Sequence, residues 1–206
     1  MRFFLISLLF LLCTSCALQM TKDWVKSETT QEFVENNYFS DVNIDYVYKA
    51  KINVYGHKFG GILIIKKLSE KEHRVVFTTE FGNKLFDFLY QENSIKKNFI
   101  VEGLDKKFIV KTLQKDFKLL ISEKTKVIEQ YDFSNEIVFK ASDDKRFNFY
   151  FINKKSHTLD KIVNATKTKE KVEVLFAEII GEVANKINIS HHQIKLKIEL
   201  EKFVKE

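Results

Sequence analysis

The sequence predicts a mostly β (α+β) domain: a curved antiparallel sheet or incomplete barrel of about ten strands with one main amphipathic helix. Three observations lead there. From Tyr46 onward, aromatic and β-branched residues recur at every second position between short polar breaks, which is the period of a strand. One stretch clearly changes period: in DKKFIVKTLQKDFKLLISEK, residues 105–124, Ile109, Leu113, Phe117 and Leu120 fall four, four and three apart, a single helical stripe. Proline is absent, so no stiff proline-rich linker divides the chain.

The amino end comes first. Met1-Arg2 is a short positive start, and FFLISLLFLL, residues 3–12, has one polar member, Ser7. Such a run is too short to cross a hydrocarbon core of about 30 Å, and with Thr14 and Ser15 after it the segment reads as a secretory signal peptide. The only two cysteines, Cys13 and Cys16, are spaced C-x-x-C at the end of that run. A redox site would need a folded αβ context, and a zinc site two more ligands. Ser15 directly before Cys16 resembles the lipobox of bacterial lipoproteins, with Cys13 where that signal usually carries leucine. The resemblance implies removal of residues 1–15 and lipidation of Cys16 by a diacylglycerol and usually an N-acyl chain, enough for stable anchoring. Ala17 is not the acidic residue that retains many such lipoproteins in the inner membrane, which by the same resemblance favours the outer membrane, facing the periplasm. An ordinary secreted protein with a leftover cysteine is the alternative.

Loss of residues 1–15 would leave a chain of single-domain size with no cysteine besides Cys16, and hence no internal disulfide. The full chain carries a formal charge of +6. Lysines and acids are interspersed, as in KKLSEKEHR, residues 66–74, which reads as a solvated surface. With export expected, nucleic acid is not a partner. Nothing calls for a cofactor.

Residues 16–44 are mostly polar and read as the lipidated cysteine and a tether holding at most one short helix, with a single β-rich domain over 45–206. In DYVYKAKINVYGHKFGGILIIKK, residues 45–67, two strands meet near Gly56-His57, and Gly60-Gly61 suits a bulge or bend. HRVVFTTEFGNKLFDFLYQ, residues 73–91, reads as a hairpin turning at Gly82-Asn83, followed by a short strand over 97–103. Asp105 is the expected N-cap of the helix. Strands resume over 135–142 and 145–155 around the turn Asp143-Asp144, continue through HTLDKIVNATK and KVEVLFAEII, and end in HQIKLKIELEKF. There Ile194, Leu196, Ile198 and Leu200 should face inward.

Catalytic signatures are missing: there is no G-x-S-x-G, H-E-x-x-H, P-loop or G-x-G-x-x-G. His191 and His192 are adjacent, and strand neighbours point to opposite faces. His57, His73 and His157 are expected at the surface. Asp87 lies between Phe86 and Phe88 and should face solvent opposite their rings. The chain is therefore not expected to be an enzyme.

A sheet of that size has more inner surface than one helix can fill, so it should curl into a barrel or half-barrel and leave apolar space. A lipidated Cys16, a tether, a strand-rich meander, one amphipathic helix and a closing run of strands together resemble the lipoprotein-localisation carriers LolA and LolB over residues 45–203. That resemblance implies an apolar cavity that receives acyl chains or lipoproteins without covalent chemistry. Alternation singles out Phe86, Phe88, Phe147 and Phe149 as candidate lining residues. The competing expectation is an anchored structural or binding subunit of an envelope assembly, with protein partners and no ligand.

Overall fold

The computed structural model describes residues 21–203; the expected signal peptide and Cys16 lie outside the described residues. The strands are β1 (Val25–Ser27), β2 (Phe33–Glu35), β3 (Asp45–Val54), β4 (His57–Ser69), β5 (Glu72–Thr78), β6 (Lys84–Gln91) and β7 (Ser94–Ile100). After the helix α1 (Lys107–Ile121) come β8 (Lys124–Phe133), β9 (Glu136–Asp143), β10 (Arg146–Asn153), β11 (Leu159–Ala165), β12 (Glu170–Ile180), β13 (Val183–His191) and β14 (Leu196–Lys202). They form one antiparallel sheet in the order β1-β8-β9-β10-β11-β12-β13-β14-β3-β4-β5-β6-β7, with β2 also on β8. Its ends do not pair with each other, so the sheet is a curved, unclosed trough. The connection from β7 to β8 runs from one end of the sheet to the other, and α1 occupies it.

Helix α1 follows the expected stripe. Ile109, Leu113, Phe117 and Leu120 are buried in one core with Tyr46, Tyr48, Phe77, Phe86 and Phe88. Its N-cap differs from expectation: Lys106 occupies that position with no side-chain cap, because Asp105 still closes the preceding 3-10 turn, Glu102–Leu104, while its carboxylate pairs with Lys97 of β7 at 2.7 Å. At the other end, Asn36 Nδ2 donates to the Leu120 carbonyl at 2.8 Å, satisfying one of the acceptors a helix leaves open.

The sheet has fourteen strands rather than about ten. Strand β8 was not legible because a register shift between Val127 and Glu129 leaves Ile128 exposed and interrupts the alternation. Strands β1 and β2 are three residues each. The folded unit also begins before residue 45: Val34, Tyr38 and Phe39, inside the expected tether, are buried in the main core, and Tyr38 donates its hydroxyl to the Leu159 carbonyl at 2.7 Å.

Turn chemistry sets the hairpins. Tyr55 and Gly56 have φ of 50° and 89° between the paired Val54 and His57, the two positive values a tight hairpin requires. The second expected hairpin is looser, with residues 79–83 between β5 and β6 and the Thr79 N–H donating to the Asn83 carbonyl at 2.8 Å. Gly61 is fixed by space: a Cβ there would lie 1.9 Å from the Thr78 carbonyl oxygen, whereas one at Gly60 meets nothing within 4 Å.

Both faces of the sheet carry apolar clusters. The inner one is the main core. On the outer face, Tyr131, Val138, Phe149, Phe151 and Val163 pack with Trp24 and Phe147. The Trp24 ring lies 5.7, 5.4, 5.6 and 5.5 Å from those of Tyr131, Phe133, Phe149 and Phe151.

Gly61→Ala is expected to cost about 1–3 kcal/mol through forced displacement of the β5 end, while Gly60→Ala stays within about 0.5 kcal/mol. Thermal melting of the two variants side by side checks this, and equal melting temperatures would contradict the close approach.

Candidate functional site

Strand pairing builds the site from two transverse rows. Tyr150, Ile162, Val174, Ile189, Ile198 and Ile52 stand directly opposite one another across six neighbouring strands, all buried. Two residues along each strand, hence on the same inward face, the next row reads Asn148, Asn164, Val172 and His191. The trough is thus apolar in its depth and turns polar towards one end. Between that end and α1 lies a cleft of about 590 Å³. Its apolar wall includes Ile95, Phe108, Leu119 and Ile194, and its polar side Asp116, Arg146, Asn148, Asn164, Lys171 and His191.

Hydrogen bonds hold the polar side in place. Arg146 Nη1 donates to Asn164 Oδ1 at 2.9 Å, and Asn164 Nδ2 donates to Asn148 Oδ1 at 2.6 Å and Asp143 Oδ2 at 2.9 Å. The Thr125 and Tyr150 hydroxyls are 3.1 Å apart. From the helix side, Asp116, 2 % exposed, meets His191 Nε2 at 2.8 Å. This contact ties α1 to β13 across the cleft. Burial pushes the Asp116 carboxyl above its ordinary range, against the opposing pull of His191. The Tyr90 hydroxyl is raised by its own burial and by Asp116, and it has no hydrogen-bond partner among the described residues.

The structure separates the four expected lining residues. Phe86 and Phe88 are fully buried, stacked with centroids 4.7 Å apart, and Phe86 lies 5.6 Å from Phe117. They are packed core beneath α1. Phe147 and Phe149 belong to the outer cluster with Trp24, so they face away from the cleft. Alternation along β10 separates the same two sets of residues, but the set in the cleft is Arg146, Asn148 and Tyr150 rather than the phenylalanines. Cys16 lies outside the described residues.

Other expectations fare unevenly. His191 and His192 do point apart, His191 to Asp116 and His192 to Glu170 at 3.4 Å. Asp144 sits in the β9–β10 turn with φ 51°. Asp87 does lie opposite the Phe86 and Phe88 rings, but it is buried rather than in solvent. Arg74 donates to its two oxygens at 3.0 and 2.7 Å, Lys84 at 2.9 Å and Asn98 at 3.3 Å, and Arg74 foremost holds the carboxyl well below the usual range. His73 is also buried rather than superficial, its Nε2 3.1 Å from the Phe39 carbonyl and 3.2 Å from Glu123. Its pKa is lowered, chiefly by desolvation. Sequence reasoning missed Asp116, Arg146, Asn148 and Asn164. The available signal was two asparagines alternating with apolar residues in separate strands, and an acid beside Phe117 on the buried stripe. Among the described residues, no group of three or more His, Cys, Asp or Glu could hold a metal ion.

No family model matches the chain, and no curated protein matches it in sequence. Among solved structures it is similar to a LolA superfamily protein from Nitrosomonas europaea, with a TM-score of 0.51 at 6 % identity over 82 % of this chain and 88 % of that one. It is also similar to a putative outer membrane lipoprotein-sorting protein domain from Vibrio parahaemolyticus, with a TM-score of 0.43 at 10 % identity over 78 % of this chain and 83 % of that one. The first likeness establishes the fold: the open trough with a helix over its concave face is LolA-like.

Asp116→Ala, which leaves His191 unpaired, is expected to lower stability by about 1–3 kcal/mol. Asp116→Asn keeps a partner for the ring. A carboxyl whose folded pKa is raised contributes stability below its unfolded value that is lost as pH rises through the folded one. The Asn variant should therefore gain on the parent as pH rises above about 4. Urea midpoints across that range check the sign, and an Asn midpoint that falls relative to the parent's as pH rises would contradict it.

Proposed function

We propose that this chain is a lipid-anchored protein of the bacterial outer membrane, facing the periplasm, whose cleft binds the acyl part of a lipid or lipoprotein without covalent chemistry. The observation that carries this reading is the cleft itself, partly walled by apolar side chains, between α1 and the concave face of a LolA-like sheet. Its volume lies in the range of about 300–1,000 Å³ common for small-ligand sites, which suits one chain at a time. Each buried CH₂ would contribute about 0.8 kcal/mol. Handover then requires only that the receiving membrane be the better solvent.

The anchor belongs to the same reading. The signal-like residues 1–15 precede Cys16, and no helix among the described residues is long and apolar enough to cross a membrane. Because Trp24 is fixed on the outer face of the sheet, the chain back to Cys16 reaches at most about 28 Å. A lipid on Cys16 would hold the domain close to the bilayer. A second reading, an envelope-assembly subunit with no ligand, is favoured by the part of the trough where Phe77, Phe86, Phe88 and Phe117 are packed solid.

Residues 17–206 purified under mild conditions are expected to carry, in native mass spectrometry, a mass excess that extracts into organic solvent and is lost in Leu119→Asp. A single apo mass that takes up no added lipopeptide would overturn the carrier reading and leave the assembly subunit. For the anchor, full-length Cys16→Ser is expected to keep residues 1–15 and gain no acyl mass in cells; normal processing of that variant would contradict lipidation at this residue.

A further inference from the structure

The charges around the cleft are unbalanced. Four cations line it, Lys115, Lys118, Arg146 and Lys171, against two carboxylates, Asp116 and Asp143. Both acids are engaged, Asp116 with His191 and Asp143 with the Asn164 amide. Among the described residues none of the four cations forms a close salt bridge, although Arg146 lies near enough to Asp116 to oppose the rise of its carboxyl pKa. Lys171 reaches only the neutral Gln193.

Arg146 is the most organised of them. It is half-buried, and its one side-chain partner is the Asn164 oxygen. That asparagine is itself fixed by Asn148 and Asp143. A guanidinium has five N–H donors in a planar fork, so donors remain for a ligand. A prepositioned, partly desolvated guanidinium matches an oxyanion better than any neutral group. The same cleft carries the apolar side chains of Leu119 and Ile194.

We propose that the polar end of this cleft recognises the anionic headgroup, phosphate or carboxylate, of a single-chain amphiphile, with Arg146 as the principal contact and Lys171 as its neighbour in the site. The inference rests on the acyl-binding reading and adds the class of headgroup. The tail runs along the apolar wall and the oxyanion takes the free donors of Arg146, so an uncharged amphiphile of equal length binds more weakly.

The test uses the protein as cells process it, in nanodiscs of zwitterionic lipid. Two photoactivatable dodecyl probes are compared, one headed by phosphate and one by an uncharged hydroxyl. The phosphate probe is expected to label peptides of α1, β12 and β13 about tenfold more strongly. Arg146→Gln, which retains a donor for Asn164, should bring the two probes close to parity by lowering labelling with the phosphate probe. Equal labelling of the parent by both probes would overturn the anion subsite and leave acyl binding standing; labelling by neither would overturn both. An unchanged preference in Arg146→Gln would overturn the assignment. Displacement by inorganic phosphate as effective as by unlabelled dodecyl phosphate would mark a free-anion site and overturn the amphiphile.

Discussion

An open antiparallel sheet has to bury its concave face, and among the described residues a single fifteen-residue helix is available to do so. The rest of the architecture depends on that shortage. The β7–β8 connection carries α1 from one end of the sheet to the other, and its apolar stripe meets the rings of Phe77, Phe86 and Phe88. That part of the trough is closed by packing. The polar edge of the helix, carrying Asp116 and Lys115, faces the other part. There the row formed by Asn148, Asn164, Val172 and His191 cannot be sealed by hydrocarbon without stranding its amides. A cleft with one apolar wall and one polar wall is the outcome.

Leaving the sheet open also creates two edges. An exposed edge invites pairing with other chains. The β8 edge is covered by the molecule's own β1 and β2, with Trp24 driven into the outer cluster beside them. The β7 edge carries Lys96 and Lys97 in a mostly exposed strand, a charged edge that discourages further addition. The segment that covers the β8 edge is the one that follows Cys16 in the chain.

Much of the fold was legible because strand and helix periods are local. The β14 alternation placed Leu196, Ile198 and Leu200 inward, and all three are buried; the helical stripe at Ile109, Leu113, Phe117 and Leu120 was equally direct. The site was less legible. Alternation along β10 separates Phe147 and Phe149 from Asn148 and Tyr150, but it cannot say which set faces the trough. That depends on Trp24, far away in the chain. The polar row exists only when Asn148 meets Asn164 and Val172 meets His191, pairings that no single strand encodes. The bulge in β8 hid a strand by breaking the pattern that reveals strands. Asp87 was misjudged for a related reason, since parity gave its face but not the Arg74 and Lys84 cover that buries it.

The division of the trough into a packed part and a receptive part is the central claim, and methyl NMR tests it most directly. Protein with labelled Ile, Leu and Val methyls would be titrated with dodecyl phosphate and searched for intermolecular contacts to the alkyl chain. Contacts to Ile95, Leu119, Val172 and Ile194, with none to Leu63, Val75 or Leu113, are the predicted result. Contacts to the second group, or to no methyl at all, would contradict it.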